Sequence, residues 1–457
     1  MRKNRNLLTL IAVLAVTLVV LTAVAIFAID RTPASDTPTQ PTVLTEPTTE
    51  PTPPPTEPPT EPPVTKVATA TVSSVGDMLM HMSVINSGYN DATRQYDRMP
   101  KMFDYILDYT TSADLMVGNL ETTLAGLNNG YAYNGYPAFN CPDDVIDAMK
   151  SAGFDLVLTA NNHSYDTRTA GLKRTLEVIS DRGLDYLGTK LDAQEKDYTI
   201  VDLNGIQIGL MCYTYETTAG DSDIIALNGI TLTKDDSQKV NAFSYNNLNK
   251  FYSEISANIA EMEQNGAEAV MLYIHWGEEY QLKANSSQKT IAQKLCDLGV
   301  DVIVGGHPHV VQPIELLTST TDSSQKTVCL YSMGNAVSNQ RLGNLSSVKT
   351  AHTEDGVMMQ VTFAEYSDGT VIVESADLLP FWVNMHYDAD WNKLYQLMPL
   401  DDAIEDWKTQ FGLTDAELKK LQESYERTMD IVGEGLAEVK DYYTANQQTV
   451  EETLGVK

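Results

Sequence analysis

From Val67 onward, short apolar runs alternate with stretches of helical spacing, and the polar residues between them are dominated by glycine, asparagine, aspartate and histidine. A brief continuous apolar run bounded by turn residues predicts a buried strand, whereas apolar positions at i, i+3 and i+4 predict an amphipathic helix. Strands are expected over residues 68–75, 113–117, 154–159, 199–203, 206–213, 267–274, 300–304, 327–331, 356–363 and 371–378. Helices are expected over 143–151, 169–181, 245–264, 287–298 and 401–443, with Ser287 and Thr414 as caps and Gly153 and Gly266 as stops. Asn204-Gly205, between two apolar runs, predicts a tight hairpin, and residues 367–370 predict a second. The class that follows is α/β.

Two segments depart from this pattern. Residues 7–28 are a continuous uncharged run dominated by Leu, Val, Ala and Ile, long enough to cross a bilayer, and Arg2, Lys3 and Arg5 precede them, which predicts a cytoplasmic N-terminus. A cleaved signal peptide is the competing reading, but its apolar core would be shorter and no small-x-small site precedes Asp30, so an uncleaved signal-anchor is favoured. Residues 31–65 are proline, threonine and glutamate with almost nothing to bury, and predict an extended, disordered stalk. The expected organisation is residues 1–29 as cytoplasmic N-terminus and transmembrane helix, 30–66 as linker, 67–397 as the principal domain and 398–457 as a helical appendage. The expected location is a single-pass membrane protein with its domain outside the cell.

Composition narrows the partners. A formal net charge of −31 over 457 residues argues against nucleic acid, whose phosphates such a surface repels. An anionic polymer would need bound cations at the contact. Cys141, Cys212, Cys296 and Cys329 are widely spaced and form no CxxC pair. Buried free thiols are the favoured reading, with a Cys212–Cys329 disulfide as the alternative.

The chemistry lies where strands end. Five of the seven histidines, His81, His163, His275, His307 and His309, follow expected strands, while His352 and His386 have no ligand-like neighbours. Val302-Ile303-Val304-Gly305-Gly306-His307-Pro308-His309 runs an apolar strand into two glycines and then two imidazoles, a local pattern suited to metal ligation. Asp77, Asn119, Glu121, Asn162 and Asp166 occupy the other strand-end loops. In open α/β sheets, loops from distant parts of the chain converge beyond the carboxyl ends of the strands. Taken one at a time, each of these residues fits a capped turn or a packed core imidazole equally well.

The ordered set Gly76-Asp77, Asn119-Leu120-Glu121, Asn161-Asn162-His163-Ser164-Tyr165-Asp166, His275-Trp276-Gly277, Gly306-His307-Pro308-His309 and Tyr331-Ser332-Met333-Gly334-Asn335 resembles the CapA family. These are bacterial capsule or poly-γ-glutamate biosynthesis proteins related in fold to the calcineurin-like metallophosphoesterases. The resemblance covers roughly residues 67–383. It implies a four-layer α/β/β/α sandwich with a metal site at one edge, holding one or two divalent ions such as Mn, Zn or Fe. Asp77, Glu121, Asn162, His275, His307 and His309 would be the ligands, with His81 and Asn119 as further candidates. His163 would assist the leaving group, oriented by Asp166. Two departures stand out: Leu79 occupies the histidine position of the phosphoesterase Asp-x-His pattern, and Glu121 stands where an aspartate would bridge two ions.

Two functions follow from that resemblance. One is an anchored extracytoplasmic hydrolase that uses a metal-activated water on a phosphoester or on a linkage of an anionic polymer such as poly-γ-glutamate. The other is a non-catalytic accessory subunit of a membrane polymer synthase or exporter, with a structural or vestigial metal site. The loop Tyr131-Ala132-Tyr133-Asn134-Gly135-Tyr136-Pro137 is read either as a substrate rim or as plain packing.

Overall fold

The structure is a computed structural model that describes residues 64–128, 130–218, 223–344 and 348–454. In chain order its first strands are β1 (Lys66–Met78), β2 (Leu115–Leu120), β3 (Leu156–Leu158), β4 (Asp185–Leu187), β5 (Tyr198–Leu203), β6 (Ile206–Tyr215), β7 (Ala226–Leu227), β8 (Ile230–Thr231) and β9 (Ala242–Phe243). There follow β10 (Ala269–His275), β11 (Val302–Gly306), β12 (Ile314–Thr318), β13 (Lys326–Leu330), β14 (Asn335–Val337), β15 (Asp355–Tyr366), β16 (Val371–Tyr387) and β17 (Lys393–Pro399).

These strands form two large sheets within a mixed α/β fold. The first has the order β17-β16-β15-β1-β2-β3-β4, with β14 also paired to β1, and the second has the order β12-β13-β11-β10-β6-β5, with β9 paired to β6. Strands β1 to β4 are mutually parallel, as are β6, β10, β11 and β13. Parallel neighbours bring all their carboxyl ends to one edge, so the loops that leave them are gathered together.

Burial explains why the apolar runs are continuous rather than alternating. Val72, Val117 and Leu158 of the first sheet share one core with Ile208, Met271 and Val304 of the second. The intervening residues Val75, Met116 and Val157 pack on Phe103, Ile146 and Leu176, which lie outside the sheet. On the second sheet, Leu272 and Ile303 likewise pack on Phe251, Ile255, Ile291 and Leu295 of the helices Leu248–Gln264 and Ser286–Asp297. A strand buried on both faces has no polar side to alternate with.

The helix Asp415–Leu454 does more than extend from the fold, because its Val432, Leu436, Val439 and Tyr443 enter the core shared by the sheets. Gly435 permits this approach: a Cβ there would lie 2.0 Å from the Ile314 carbonyl oxygen. Thr414 caps the helix as expected, with its backbone N–H donating to Glu417 Oε2 (2.8 Å) and its Oγ1 accepting from the Glu417 N–H (3.3 Å).

Some expectations need correction. The helix at Ser286–Asp297 is capped by Asn285, in a reciprocal box with Gln288, and not by Ser287. Strand β16 runs on to Tyr387 and pairs with β17, which the sequence pattern did not predict. All four cysteines are free and buried, and the Cys212–Cys329 alternative fails. β6 and β13 are separated by β10 and β11, and the two thiols lie in different cores. The Asn204-Gly205 hairpin is present, both residues at positive φ (57° and 99°) between β5 and β6. The expected transmembrane helix falls outside the described residues, as does the expected stalk up to residue 63; no described helix is long and apolar enough to cross a membrane.

Candidate metal centre

Where the carboxyl ends of the two sheets meet, five ionisable side chains from distant parts of the chain converge. Asp77 lies at the end of β1, Glu121 directly follows β2, His275 is the last residue of β10, and His307 and His309 follow β11. All five are buried, Asp77 and Glu121 completely. Asp77, Glu121 and His275 each offer a ligand atom within 4.8 Å of the others, and so do Glu121, His307 and His309.

The backbone is bent to achieve this. His307 and His309 both adopt positive φ (94° and 56°), a region that costs a non-glycine residue roughly 1–3 kcal/mol and persists only where surrounding structure enforces it. Gly306 must be a glycine for a different reason. A Cβ there would sit 3.0 Å from Asp77 Oδ1 and 3.4 Å from His275 Nδ1, in the space between the side chains.

Polar contacts divide the cluster into groups that are satisfied and groups that are not. Asp77 Oδ1 accepts from Asn119 Nδ2 (2.7 Å), while Oδ2 accepts from the His307 backbone N–H (3.1 Å) and lies 3.0 Å from His309 Nδ1. His275 Nε2 is 2.8 Å from Asn162 Oδ1 and 3.5 Å from Glu121 Oε1, and His309 Nε2 is 3.8 Å from that same oxygen. Yet neither carboxylate oxygen of Glu121 has a hydrogen-bond partner, and neither does His307 Nδ1.

A buried carboxylate with both oxygens unpartnered is expensive unless a cation meets it. Atoms bound to one ion at about 2.1 Å are separated by about 3–3.5 Å, the range of several of these contacts. Carboxylate, imidazole and amide oxygens together suit a divalent ion such as Mn, Zn or Fe. The residues present therefore fit a metal ion.

The charge balance of the chain by itself points the same way. Burial alone would raise the Asp77 carboxyl, but its hydrogen bond to His309 and the adjacent His275 outweigh it and hold the pKa below the ordinary value. For His309, burial opposes protonation, yet the Glu121 and Asp77 carboxylates carry its pKa up to about 9. Burial, followed by its histidine neighbours, pushes His307 well below the ordinary imidazole value. One protonated imidazole thus stands among two carboxylates, where an incoming cation would displace its proton.

Beside this cluster lies a histidine–aspartate pair. His163 Nδ1 is 2.8 Å from Asp166 Oδ2, which also accepts from the Phe139 N–H (2.7 Å), and the edge of Phe139 packs on the His163 ring at 4.7 Å between centroids. Asp166 thereby orients the imidazole with Nε2 as its free end.

Two candidate ligands stand apart. Asn119 turns its amide nitrogen toward Asp77, and its Oδ1 accepts from Asn161 Nδ2 (3.1 Å), so both ends of its amide are taken up in holding Asp77 in place. His81 accepts through Nδ1 from the Asn339 N–H (3.4 Å) and rests against Phe139. Among the described residues it joins no ligand group, and burial, with His309 nearby, lowers its pKa to about 4. Leu79, at the position of the missing histidine, is buried, with its N–H bonded to the Val337 carbonyl.

Three supporting asparagines were not assigned a role from sequence. Asn161 links Asn119 Oδ1 to the Leu120 carbonyl, and Asn335 donates to the His309 carbonyl (3.2 Å). Asn228, at the turn between β7 and β8, contacts Asn162 and His163. Its Asn-Gly turn signal was available in the sequence, but nothing local connects that turn to the site.

Comparison with known proteins agrees with this picture. Residues 71–340 match the family described as bacterial capsule synthesis protein PGA_cap. The chain is 25% identical over 313 residues to the capsule biosynthesis protein CapA of Bacillus anthracis, covering 67% of each. It is 26% identical over 272 residues to the PGA biosynthesis protein CapA of Bacillus subtilis, covering 59% of this chain and 63% of that one. A "Probable polyglutamine synthesis accessory protein" of Mycobacterium tuberculosis is 21% identical over 211 residues, covering 45% and 52%. With more than half its length matched and its site residues inside the matched region, this chain belongs to the CapA family of bacterial capsule synthesis proteins.

Proposed function

We propose that this protein is a membrane-anchored, extracytoplasmic, metal-dependent hydrolase of capsule or poly-γ-glutamate biosynthesis, acting on a phosphoester or on a linkage of an anionic polymer. One observation carries the metal reading: Glu121 is buried with neither oxygen hydrogen-bonded, among His275, His307 and His309. Paired sheets flanked by helices are consistent with the metallophosphoesterase layering that the resemblance implies.

Asp77, Glu121, Asn162, His275, His307 and His309 would hold one or two divalent ions. When bound, such an ion supplies Lewis-acid polarisation of the scissile group and lowers the pKa of a coordinated water. The remaining work belongs to the chain. His163, with Nδ1–H directed at Asp166, offers Nε2 to deliver a proton to the leaving atom. Buried Phe139 packs against both His81 and His163 and excludes water beside them, while exposed Tyr136 on the same loop stands at its rim. Residues 1–29 would anchor the chain and 30–66 would hold residues 67–397 away from the membrane, with 398–457 completing the extracellular part. Subunits of a membrane polymer synthase or exporter are the natural protein partners of such an anchor.

A second reading, a non-catalytic accessory subunit, is favoured by Leu79, which removes one imidazole that the phosphoesterase pattern would supply. Both readings are tested together by purifying the full-length protein in detergent, measuring bound metal by mass spectrometry, and assaying bis(p-nitrophenyl) phosphate and poly-γ-glutamate with and without chelator. Chelator-sensitive turnover is expected for the hydrolase. Stoichiometric metal without turnover on either substrate would sink it in favour of the accessory subunit, and a protein that binds no metal would defeat the metal centre itself.

A further inference from the structure

Asn162 faces a problem of its own chemistry. Its amide has an oxygen end that can ligate a cation and a nitrogen end that repels one, yet the two ends are nearly equal in shape. Packing cannot tell them apart. Only a hydrogen-bond partner at one end fixes which of them faces the centre.

That partner is on a separate element. Asn162 Nδ2 donates to Asn228 Oδ1 (3.1 Å), which leaves Asn162 Oδ1 directed at His275 Nε2 (2.8 Å). The other end of Asn228 rests on His163: its Nδ2 lies 3.4 and 3.5 Å from the two ring nitrogens, over the face of the imidazole, where an N–H is tolerated better than a second oxygen. The turn that carries Asn228 is anchored by Leu227, which is fully buried in a cluster with Tyr165, Leu172, Leu232 and Val240. Asn228 sits at positive φ (47°), a conformation that asparagine and glycine tolerate and that most residues do not.

We infer that Asn228 is a positioning residue of the metal centre, supplied by the β7–β8 turn, which keeps the Asn162 amide oxygen turned toward the ion and couples it to His163. This rests on the metal-centre reading above. Neighbours that orient metal ligands in this way commonly contribute about 10–100-fold in metal affinity.

The test uses two substitutions that both suit the backbone. Asn228→Gly removes the side chain without straining positive φ, and Asn228→Asp keeps an oxygen to accept from Asn162 Nδ2. Mn2+ affinity of the full-length, metal-stripped protein is measured by competition with a chromophoric chelator, alongside the melting temperature of the metal-free form. About 10-fold or more weaker binding is expected for Asn228→Gly at an unchanged metal-free melting temperature, and binding within about 3-fold of wild type for Asn228→Asp, the part of the outer-shell effect that the retained acceptor restores. Wild-type affinity in Asn228→Gly, equal weakening in both variants, or weakening that follows a fall in metal-free stability would each overturn the inference while leaving the metal centre intact. A wild-type protein that binds no Mn2+ or other divalent ion would remove the centre and this role together.

Discussion

Two buried carboxylates in this molecule are treated in opposite ways. Asp355, at the start of β15, has every oxygen answered by the C-terminal helix: Oδ1 accepts from Ser424 Oγ (2.6 Å) and Arg427 Nη2 (2.7 Å), and Oδ2 from Arg427 Nε (2.9 Å). Glu121, equally withdrawn from solvent, has both oxygens without a hydrogen bond. The first arrangement is closed by the chain itself and serves to lock the helix Asp415–Leu454 onto the sheet. The second is left open toward imidazoles that can share an ion with it. A carboxylate that folding leaves unanswered marks a place for something the chain does not contain.

The comparison can be broken from either side. The largest effect is expected at the closed site. Arg427→Met strands the Asp355 charge, and denaturant unfolding at neutral pH should show a loss of about 3–5 kcal/mol, with metal content per folded molecule unchanged. A loss within error would mean that the Asp355–Arg427 pair locks nothing.

Next in size is the open site. Asp77→Asn removes a negative charge that His309, the His307 N–H and Asn119 all address, and Mn2+ affinity should fall by at least about 100-fold, the upper end of what an indirect neighbour contributes. The metal-free protein should stay folded by circular dichroism. Unchanged affinity would place the ion elsewhere.

Asp301 offers an intermediate case on the same strand as the histidines. It precedes β11 and is half-buried at the end remote from His307, with the Val270 N–H at 2.8 Å as its closest donor. Burial raises its pKa to about 6. A carboxyl whose folded pKa lies above its unfolded one stabilises the fold fully below about pH 4, and that contribution is lost as pH rises through about 6. Asp301→Asn should therefore gain about 2 kcal/mol on wild type between pH 4 and pH 7, read as the difference between their denaturation midpoints. A flat difference would show that Asp301 is already paid for by its neighbours.

Glu121→Gln should have the smallest effect on the metal-free protein. An amide of the same shape loses both the cost of the buried charge and its attraction to protonated His309, so metal-free stability should stay within about 1 kcal/mol of wild type, while the rise in melting temperature that added Mn2+ causes in wild type is abolished. Larger destabilisation of the metal-free form would mean that Glu121 is held by contacts as strong as those of Asp355.

Much of this architecture is legible in the residues alone, because period and punctuation are local. The runs that became β2, β6, β10 and β11 are dominated by apolar residues on both faces, since both faces of each sheet are covered. Asn204-Gly205 and Thr414 act within a few residues of themselves and could be read directly. The cap at Asn285, the strand β17 and the burial of Val432, Leu436 and Val439 depend on partners far away in the chain, and there the pattern was silent or misleading.

The same division runs through the site. Asp77, Glu121, Asn162, His275, His307 and His309 are each a polar, ligand-type residue just beyond or at the end of an apolar run, so which side chains stand at strand ends was decided by sequence. Which of them meet was decided only by the pairing of two sheets, which brings His309 to Asp77 across 232 positions of chain and turns the Asn119 amide nitrogen toward Asp77. His81, one residue pattern among five, was carried instead to Phe139 and Asn339. Strand ends are encoded by short-range hydrophobicity, but convergence is a property of register and sheet packing, and those are settled by contacts that no local stretch contains.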